Sequence, residues 1–588
     1  MKKFFFGCFQ YLFLFCFSFA GDPIIIDGRF EDWIDIPIAY SDSQGDAILS
    51  DFSELKITYD NDFIFIYLSF YDGYFLFQDW NEFHLYIDAD NDLNTGSPIA
   101  GIGAELDWCF GCRSGFQYIN NQEIILMQND INLRIGPTIT SQEFEIAILR
   151  SSMALTMNNT QLLDEGRLVI IESEGDSDQL PNEAGGVSFT IGNDTTTAAT
   201  PIPLEKKNTE DIRILSYNTL NEGILDSERK SHFKRIFQAL DPDIIALQEH
   251  SDWDQIDEII QSWFPQDVWH ASWTYRDLVI LSRFPIINDA NLISSDRTMC
   301  ALLNTEQDLG KNLLIINSHL SCCGNNEDRQ QQVDEFLSVW KSWLLENGGP
   351  FVLEEGTPFV HVGDFNFVGY RDQVETIRLG DIQDENQYGN DFLPDWDSTD
   401  IIDLFSRHTQ KRMGYTWQND NSSYNPGKLD YVFYSDALLD TGRHYILNTK
   451  VMNEQILDSH GLEAEDTYLA SDHLPRIIDI RLGTNVGIKN EKIIPQGFNF
   501  FNSFPNPFNS SIYIKFSLSF PVHTKITVID IQGNKIKELI DETKSAGNWS
   551  ASWDGMNENG NSASTGLYFI LFESNSQYLK AEKVILLK

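Results

Sequence analysis

The sequence predicts a multidomain protein in which a central α/β domain is flanked by a β-sandwich on its N-terminal side and by a smaller β-sandwich on its C-terminal side. The length of 588 residues corresponds to about three or four domains. The hydrophobic fraction of 42% and the aromatic fraction of 13% are typical of folded domains rather than of disordered chain. Strand-like runs dominate both ends, whereas strands and helices alternate between residues 211 and 483.

The charge supports the same division and excludes some functions. The chain has 41 Lys and Arg against 88 Asp and Glu, a formal net charge of -47. Residues 21–210 carry 33 acids and 8 bases and residues 211–484 carry 46 acids and 21 bases, so each segment is at -25, whereas residues 485–588 come to about +1. This surplus of carboxylates excludes a protein that coats nucleic acid or anionic membrane by bulk charge. It leaves room for cation sites.

Residues 1–20 are predicted to be a secretory signal peptide. Lys2 and Lys3 precede an apolar run over residues 4–19, and Ala20 ends a cleavage site before Gly21. The alternative is a membrane anchor, but the run is short for a bilayer and no later stretch is long and apolar enough to span one. We therefore expect an exported protein, secreted or attached to the cell surface, with no transmembrane segment in the mature chain.

Five cysteines remain after the leader. Cys109 and Cys112 are spaced to close a small disulfide loop, and Cys300 is a candidate partner for Cys322 or Cys323. A zinc site is the alternative, although four well-spaced ligands are missing. The pairing stays open at the level of sequence.

The segment 21–192 is predicted to be a β-sandwich, with strands over residues 55–59, 63–70 and 83–87. An acidic loop follows the third strand and places oxygen ligands at alternate positions before Gly96: Asp88, Asp90, Asp92 and Asn94. Such a loop suits Ca²⁺, with Glu105 as a substitute for the missing closing Glu, and the alternative is a solvated acidic turn. The stretch IDGRFEDW (residues 26–33) and the stretch GIGAE (101–105) resemble family-nine-like carbohydrate-binding sandwiches, which implies a binding module for glycan.

Two segments without periodic apolar pattern are predicted to be linkers, at residues 193–210 and 484–497. Between them, at 211–483, strands are predicted over residues 212–217, 243–248, 278–281, 313–317, 359–363, 429–434 and 476–480. Helices are predicted around Phe233–Leu240, with Ser227 as N-cap, and around Val333–Trp340.

Polar side chains follow the ends of these strands. The residues at or just beyond a strand's carboxyl end are Asn218, Glu249, His319, Asp364 and Asn366, while Asp430 and the pair Asp472-His473 flank the last two strands. In α/β sheets this edge is where ligands bind. A single carboxylate there is usually a turn residue, but eight such positions in six segments indicate a site.

The motifs SYN (216–218), LQE (247–249), NSHL (317–320), GDFN (363–366), LDY (429–431) and SDH (471–473) resemble, in order, those of the endonuclease/exonuclease/phosphatase superfamily, the DNase I-like fold. The resemblance implies a four-layer α/β sandwich and metal-assisted hydrolysis of a phosphoester. It assigns Mg²⁺ or Mn²⁺ to Asn218, Glu249 and Asp472.

The same resemblance assigns the reacting groups. Asp364, steadied by Asn366, would orient or deprotonate the attacking water. His473, held by Asp430, would donate to a phosphoryl oxygen, and His319 would assist the leaving oxygen or bind phosphate. Arg283 is a candidate phosphate contact, with a structural salt bridge as the alternative.

Residues 498–588 are predicted to be one small β-sandwich, with strands over residues 511–517 and 525–530. The segments FPNPFN (504–509), WDG (553–555) and STGLY (564–568) resemble the C-terminal sorting domain of the type IX secretion system, which implies secretion machinery as a partner. The alternative is an immunoglobulin-like spacer.

The expected function is a secreted, divalent-metal-dependent phosphoesterase that cuts phosphodiesters, most plausibly extracellular nucleic acid. One alternative is a phosphatase or lipid-head-group phosphodiesterase of the same superfamily, favoured by the charge of -25 on residues 211–484. The other is a catalytically silent protein that binds surface glycan through its first module.

Overall fold

A computed structural model gives the fold of the chain and describes residues 24–47, 50–79, 81–119, 122–157, 161–162, 165–173, 178–191, 199–251, 255–274, 276–346, 348–483, 498–504, 508, 511–518, 522–530, 534–544, 547–558, 561–574 and 577–586. The predicted signal peptide and the predicted linker 484–497 lie outside the described residues. The chain up to Thr484 forms one compact unit, and the chain from Asn485 forms a second.

The N-terminal domain is a β-sandwich, as predicted. Its strands are β1 (Ile38–Ser41), β2 (Phe52–Tyr59), β3 (Phe63–Phe70), β4 (Phe83–Asp88), β5 (Ser97–Ile99), β6 (Ile102–Ala104), β7 (Leu106–Cys109), β8 (Ser114–Ile119), β9 (Gln122–Leu126), β10 (Arg134–Gly136), β11 (Glu143–Leu149), β12 (Thr156–Met157), β13 (Gln161–Leu162), β14 (Glu165–Glu172), β15 (Gln179–Leu180) and β16 (Val187–Thr190), with 3-10 turns at Glu31–Trp33 and Met153–Leu155. One sheet has the order β1-β2-β3-β11-β10, and the other has the order β15-β14-β4-β7-β8-β9, with β16 paired to β14.

Strand β3 explains how this sandwich relates to the central domain. All eight of its residues are buried, although a strand at the surface of a sandwich normally buries every second one. Ile64, Ile66 and Leu68 face the sandwich core, whereas Phe63 and Phe65 face a second apolar cluster. Strand β3 is therefore covered on both faces.

The second cluster is an interface between the two domains. From the sandwich it contains Ile24, Ile26, Trp33, Phe63, Phe65, Tyr67 and Ala147, and from the central domain Met413, Tyr415, Ile446 and Leu474. Ile26 also exchanges backbone hydrogen bonds with this domain, donating to Arg412 O at 3.2 Å and accepting from Gly414 N at 3.0 Å. The stretch IDGRFEDW, which carries the resemblance to a binding module, therefore docks the sandwich onto the central domain, and separation of the two would expose this apolar surface to water.

The described residues of the central domain form two six-stranded sheets and seven α-helices. The strands are β17 (Ile212–Asn218), β18 (Ile244–Gln248), β19 (His270–Trp273), β20 (Val279–Ser282), β21 (Ile286–Asn291), β22 (Thr298–Leu303), β23 (Leu313–His319), β24 (Phe359–Asp364), β25 (Ile402–Asp403), β26 (Asp430–Tyr434), β27 (Leu439–Ile446) and β28 (Arg476–Leu482). The helices are α1 (Lys230–Leu240), α2 (Ile256–Trp263), α3 (Asn326–Glu346), α4 (Asp372–Leu379), α5 (Glu385–Tyr388), α6 (Glu454–His460) and α7 (Asp466–Ala470), with a 3-10 turn at Thr449–Val451. The sheet orders are β19-β20-β18-β17-β28-β27 and β21-β22-β23-β24-β26-β25.

Alternate residues of the strands face opposite layers. Ile214 of β17 and Ile315 of β23 lie in the core between the two sheets. Leu215 packs with residues of helices α1 and α2, whereas Ile316 packs with residues of helix α3. The result is the four-layer α/β/β/α sandwich that the resemblance implies. Ser227 is not the N-cap of α1, which begins at Lys230 after Arg229, so that prediction is wrong.

The described part of the predicted linker 193–210 lies against the central domain. Leu204 is buried in the core beneath α1, and its carbonyl accepts hydrogen bonds from Arg213 at 2.7 Å and from the Tyr445 hydroxyl at 2.8 Å. Lys206 forms an ion pair with Asp243 at 2.5 Å. These contacts make residues 199–210 part of the domain rather than a free hinge.

The cysteines follow one of the two predicted pairings. Cys109 and Cys112 form a disulfide, so they are not zinc ligands. Cys300 is buried beneath helix α3, whereas Cys322 and Cys323 are exposed thiols, and the expected bond from Cys300 to either is absent among the described residues. Cys300 packs in the apolar core between its own sheet and helix α3.

The described residues of the C-terminal unit form a seven-stranded β-sandwich. Its strands are β29 (Phe498–Phe504), β30 (Ile512–Leu518), β31 (Val522–Asp530), β32 (Lys535–Lys544), β33 (Gly547–Trp553), β34 (Gly566–Ser574) and β35 (Gln577–Leu586), in sheets β29-β30-β33 and β32-β31-β34-β35. Trp553 is fully buried among Phe508, Ile526 and Val528 in its core. In the parts of the chain that the structure describes, no helix has the length and apolar character needed to cross a bilayer.

Candidate active site

Three neighbouring strands of the second sheet of the central domain bring three predicted residues side by side. His319 ends β23 opposite Asp364, which ends the parallel strand β24, and Asp364 lies opposite Asp430 at the start of the antiparallel strand β26. In the first sheet, Asn218 at the end of β17 pairs with Gln248, directly before Glu249. The strand ends thus meet at one edge, as the sequence predicts.

Gly363 permits this close approach. Its φ is +142°, and a Cβ atom at this position would lie 2.0 Å from the carbonyl oxygen of Ser318 on the neighbouring strand. Any side chain here would separate β23 from β24. The glycine of the GDFN motif therefore allows His319 and Asp364 to share one register.

Asp364 lies between two imidazoles. Its Oδ2 is 3.7 Å from Nε2 of His473 and 3.8 Å from Nε2 of His319, and it accepts a hydrogen bond from Nδ2 of Asn218 at 3.0 Å. Burial raises the pKa of Asp364, although the positive charge of His473 acts against that shift. A buried carboxylate with a raised pKa, next to cationic donors, is suited to accept a proton from water.

His473 is held as a cation. Its Nδ1 lies 2.9 Å from Oδ2 of Asp430, which leaves Nε2 directed toward Asp364. Burial by itself lowers the pKa of His473, but the negative charges of Asp430 and Asp364 outweigh it and raise that pKa to about 10. An imidazolium of this kind donates to an anionic oxygen at neutral pH.

His319 is also held through its Nδ1 by a carboxylate, which belongs to a residue that the sequence did not single out. Its Nδ1 lies 2.8 Å from Oδ2 of Asp277, in the turn before β20. Burial lowers the pKa of His319, but the hydrogen bond to Asp277 and the charge of Asp364 raise it overall. Asp277 was missed because it precedes a strand rather than follows one, and only the antiparallel direction of β20 brings it to this edge.

Asn366 fixes the backbone after Asp364. It adopts a left-handed conformation with φ 53°, its N–H donates to Oδ1 of Asp364 at 3.0 Å, and its Nδ2 donates to the carbonyl of Leu320 at 3.1 Å. The amide side chain therefore joins the ends of β23 and β24. These contacts restrain the backbone around Asp364, and the part of Asn366 in the reaction stays a prediction.

Asn218 forms hydrogen bonds with two carboxylates of the site. Its Nδ2 donates to Oε1 of Glu249 at 3.1 Å and to Asp364, while its Oδ1 accepts from the N–H of Leu220 at 3.0 Å. The amide thus offers hydrogen, not oxygen, to the two carboxylates. In this structure Asn218 positions Glu249 and Asp364, and its part as a metal ligand stays a prediction.

Glu249 and Asp472 provide oxygen atoms for a cation. Glu249 is only half-buried at the mouth of the site, and one oxygen from it, one nitrogen from His319 and one oxygen from Asp364 lie within 4.8 Å of one another. Asp472 accepts from Nε1 of Trp417 at 3.1 Å through Oδ2, whereas its Oδ1 is buried without a hydrogen-bond donor from any described residue. Carboxylate oxygens and a buried acceptor without a donor fit a hard divalent cation.

Arg283 is not at this site, which corrects the prediction that it contacts phosphate. Its guanidinium pairs with Asp241 at 2.6 Å, Asp243 at 3.2 Å and Asp267 at 3.0 Å. It follows Ser282, which pairs with Ile244 at the start of β18. Glu249 follows the other end of β18, so one strand length, or about 16 Å, separates the two positions. The alternative, a structural salt bridge, is the one that the structure shows.

Arg297 is an arginine that lies beside the candidate site. It precedes β22, and its Nη1 donates to the carbonyl of His319 at 2.9 Å. Burial lowers the pKa of its guanidinium, while Asp277 and Asp364 favour the charged form. Arg297 is not predicted from the sequence, because no strand-end pattern identifies a residue in this position.

The side chains of the acidic loop of the sandwich form hydrogen bonds with the loop's own backbone. Asp88, Asp90 and Asp92 accept hydrogen bonds from the N–H groups of Asn91, Asp92 and Asn94 at 2.6, 3.0 and 3.0 Å. Glu105 reaches the loop as expected: its Oε2 accepts from Ala89 N at 2.8 Å, its Oε1 is buried without a donor from any described residue, and burial raises its pKa to about 7.

The central domain has the α/β architecture of the DNase I-like fold. Residues 215–473 match the model of the Endonuclease/Exonuclease/phosphatase family, the family that their motifs resemble. Residues 508–577 match the FlgD Ig-like domain, which gives the fold of the tail. No curated protein matches the chain.

Several solved structures resemble the chain. The human Nocturnin catalytic domain with bound sulfate is 16% identical and the match covers 48% of this chain and 96% of that one, with a TM-score of 0.30. ANGEL2, a 2′,3′-cyclic phosphatase, in complex with adenosine-2′,3′-vanadate is 17% identical over 47% of this chain and 97% of that one, with a TM-score of 0.32. D. rerio TDP2 complexed with single-strand DNA product is 14% identical over 46% and 99%, with a TM-score of 0.30.

Proposed function

We propose that this protein is a secreted, divalent-metal-dependent phosphoesterase that hydrolyses phosphodiesters, with extracellular nucleic acid as its most plausible substrate. The observation that carries the proposal is the position of Asp364. Its buried carboxylate lies 3.7 Å from His473 and 3.8 Å from His319, and each of these histidines is also held by a carboxylate of its own. This arrangement offers one base and two acids around a single position.

The residues divide the proton transfers between them. Asp364 holds the attacking water and takes its proton, and the N–H of Asn366 keeps the carboxylate turned toward that water. His473, kept cationic by Asp430, donates through Nε2 to a non-bridging oxygen as negative charge develops on it. His319, kept cationic by Asp277, protonates the leaving oxygen.

Glu249 and Asp472 would hold Mg²⁺ or Mn²⁺, with Asn218 fixing Glu249 through its amide. When bound, such a cation neutralises charge on the phosphoryl oxygens and lowers the pKa of a coordinated water.

Two classes of substrate of different size are considered, a long nucleic acid and a smaller phosphoester. The charge of -25 on residues 211–484 opposes a long polyanion at low salt and favours a smaller phosphoester, such as a phosphate monoester or a lipid head group. Arg297 beside His319 supplies local positive charge at the site itself. A local charge of this kind steers a phosphate group even where the net charge is negative.

Export and attachment are also proposals. The signal-like residues 1–20 support secretion, and the order of motifs in residues 498–588 supports sorting by the type IX machinery, with an Ig-like spacer as the alternative. The acidic loop supports Ca²⁺ bound by Asp88, Asp90, Asp92, Asn94 and Glu105. The resemblance of residues 21–192 supports a glycan ligand.

The test is hydrolysis by the purified chain of a chromogenic phosphodiester, the matching monoester and plasmid DNA, in Mg²⁺ or in EDTA. Asp364→Asn is the inactivating variant. Asp395→Asn is the matched control, because Asp395 is also a buried aspartate of this domain but lies beside Ser435, beyond the far end of β26.

We expect turnover of the diester and plasmid that is lost in EDTA and in Asp364→Asn but retained in Asp395→Asn. Turnover of the monoester alone would establish the phosphatase. Full activity in Asp364→Asn would overturn the assignment of the base, and a folded, metal-loaded protein without turnover would favour the silent glycan-binding protein.

A further inference from the structure

A second group of carboxylates lies in the N-terminal sandwich, away from the acidic loop. We call Asp42, Asp46, Asp51 and Asp178 the sheet-junction cluster. Asp42 follows β1 and Asp51 precedes β2 in one sheet, whereas Asp178 precedes β15 in the other. Candidate ligand oxygens of Asp42, Asp46 and Asp178 lie within 4.8 Å of one another. The cluster therefore spans the two sheets at one end of the sandwich.

Three of the four side chains are buried. The exposed fractions of Asp42, Asp51 and Asp178 are 6%, 6% and 3%, and only Asp46 is exposed. The donors that reach them are neutral: Asn182 bridges Asp42 and Asp46 at 2.8 and 2.9 Å, and the N–H groups of Gly45 and Phe52 bind Asp51 and Asp178. Among the residues that the structure describes, no Lys, Arg or His forms an ion pair with the cluster.

Two oxygen atoms of the cluster are left over. Oδ2 of Asp42 and Oδ1 of Asp51 are buried and accept no hydrogen bond from a described residue. Burial and the charges of Asp178, Asp46 and Asp51 raise the pKa of Asp42 to about 6. A buried carboxylate is stable when it is paired with a cation, and an unpaired one tends to take up a proton instead.

We propose that the sheet-junction cluster binds a hard divalent cation, with Ca²⁺ the best match, and that the cation fastens the two sheets of the sandwich together. The donor set is entirely oxygen, which disfavours zinc or copper. Ca²⁺ accepts six to eight oxygens in irregular geometry, as loop carboxylates supply them, whereas Mg²⁺ requires a near-octahedral set. The free oxygens of Asp42 and Asp51 are the acceptors that the cation satisfies.

This site is distinct from both cation sites considered above. It shares no residue with the acidic loop after β4 or with the candidate active site. Three of its residues lie between positions 42 and 51 and Asp178 comes from a distant segment, so no single segment supplies the whole ligand set. It is tested by binding and stability, so its outcome is independent of whether the central domain hydrolyses a phosphoester.

The experiment uses the full chain, desalted from EGTA and kept in millimolar Mg²⁺ so that the candidate active site is supplied. Bound Ca²⁺ is counted by equilibrium dialysis, and thermal unfolding is followed with and without Ca²⁺. Asp42→Asn and Asp178→Asn remove buried ligands. Asp46→Asn removes the exposed ligand and cannot unfold the core, Asp92→Asn weakens the acidic loop, and Asp72→Asn is the control for loss of an exposed acid elsewhere in the sandwich.

We expect Ca²⁺ to raise the unfolding temperature of the wild type, and each cluster variant to weaken this effect at least about tenfold in Ca²⁺ concentration. In EGTA, Asp42→Asn is expected to unfold at the wild-type temperature or above, because it removes one of the crowded charges. Asp92→Asn and Asp72→Asn should keep the response. A Ca²⁺ count and a thermal response that are unchanged in Asp42→Asn and Asp46→Asn would overturn the proposal, as would a response lost only in Asp92→Asn.

Discussion

The candidate active site and the N-terminal sandwich bury carboxylates in opposite ways. At the active site, Asp364, Asp430 and Asp277 each face an imidazole, at distances from 2.8 to 3.8 Å, so the chain supplies its own positive charge. In the sandwich, the carboxylates of the sheet-junction cluster and of the pair Asp27 and Glu145 accept hydrogen bonds from N–H groups. Among the described residues, none of these carboxylates forms an ion pair with a basic side chain. The first arrangement keeps charge available for proton transfer. In the second arrangement, the negative charge of the carboxylates is balanced by an added cation or by a bound proton.

His473→Gln tests the active-site side of this comparison and has the largest expected effect. Loss of the imidazolium removes the donor to the phosphoryl oxygen and leaves Asp430 and Asp364 facing each other. We expect kcat/KM for the phosphodiester to fall about 10²–10⁴-fold. His444→Gln, a partly buried histidine that lies beside Ser406, is the control. A fall of less than tenfold with intact folding would contradict the part given to His473.

Asp277→Asn should have a smaller effect on the same reaction. The amide keeps a contact with Nδ1 of His319 but removes the charge that raises the pKa of that histidine. We expect kcat to fall about tenfold with little change in KM, and the activity at alkaline pH to fall first, because His319 loses its proton at lower pH. Equal losses at pH 6 and pH 9 would indicate that Asp277 acts only on folding.

Asp27→Asn tests the sandwich side and has the smallest effect. Burial raises the pKa of Asp27 to about 7 in the folded protein, so the folded state binds a proton more tightly than the unfolded state. Stability is therefore lost as the pH rises from about 4 through about 7. Removal of the charge should raise the free energy of unfolding by about 1–2 kcal/mol at pH 8 and leave it unchanged at pH 4.

Chemical unfolding of the full chain at both pH values measures this difference, with Asp35→Asn as an exposed control in the same segment. A gain that is equal at pH 4 and pH 8 would show that Asp27 acts through packing rather than through its charge. Destabilisation at pH 8 would show that a cation partner of Asp27 outweighs its burial.

Much of the central domain could be predicted from the sequence because its signals are local. Each of the seven predicted strands is found to within a few residues, since a buried strand is a continuous apolar run. His319, Asp364 and Asp430 meet because they end or begin neighbouring strands. The part of Asn218 was less predictable, because the residue type does not fix which end of an amide faces the carboxylates.

The sequence by itself determined the order of the domains and the strand ends that carry the candidate active site, since both depend on neighbours in the chain. Only the tertiary structure decided that the sandwich docks on the central domain through Ile26 and Trp33, that Arg283 lies at the far edge and that Asp277 supports His319. The same holds for the sheet-junction cluster. These features depend on the direction and pairing of distant segments, and the free energy of burial that selects such pairings has no local pattern in the sequence.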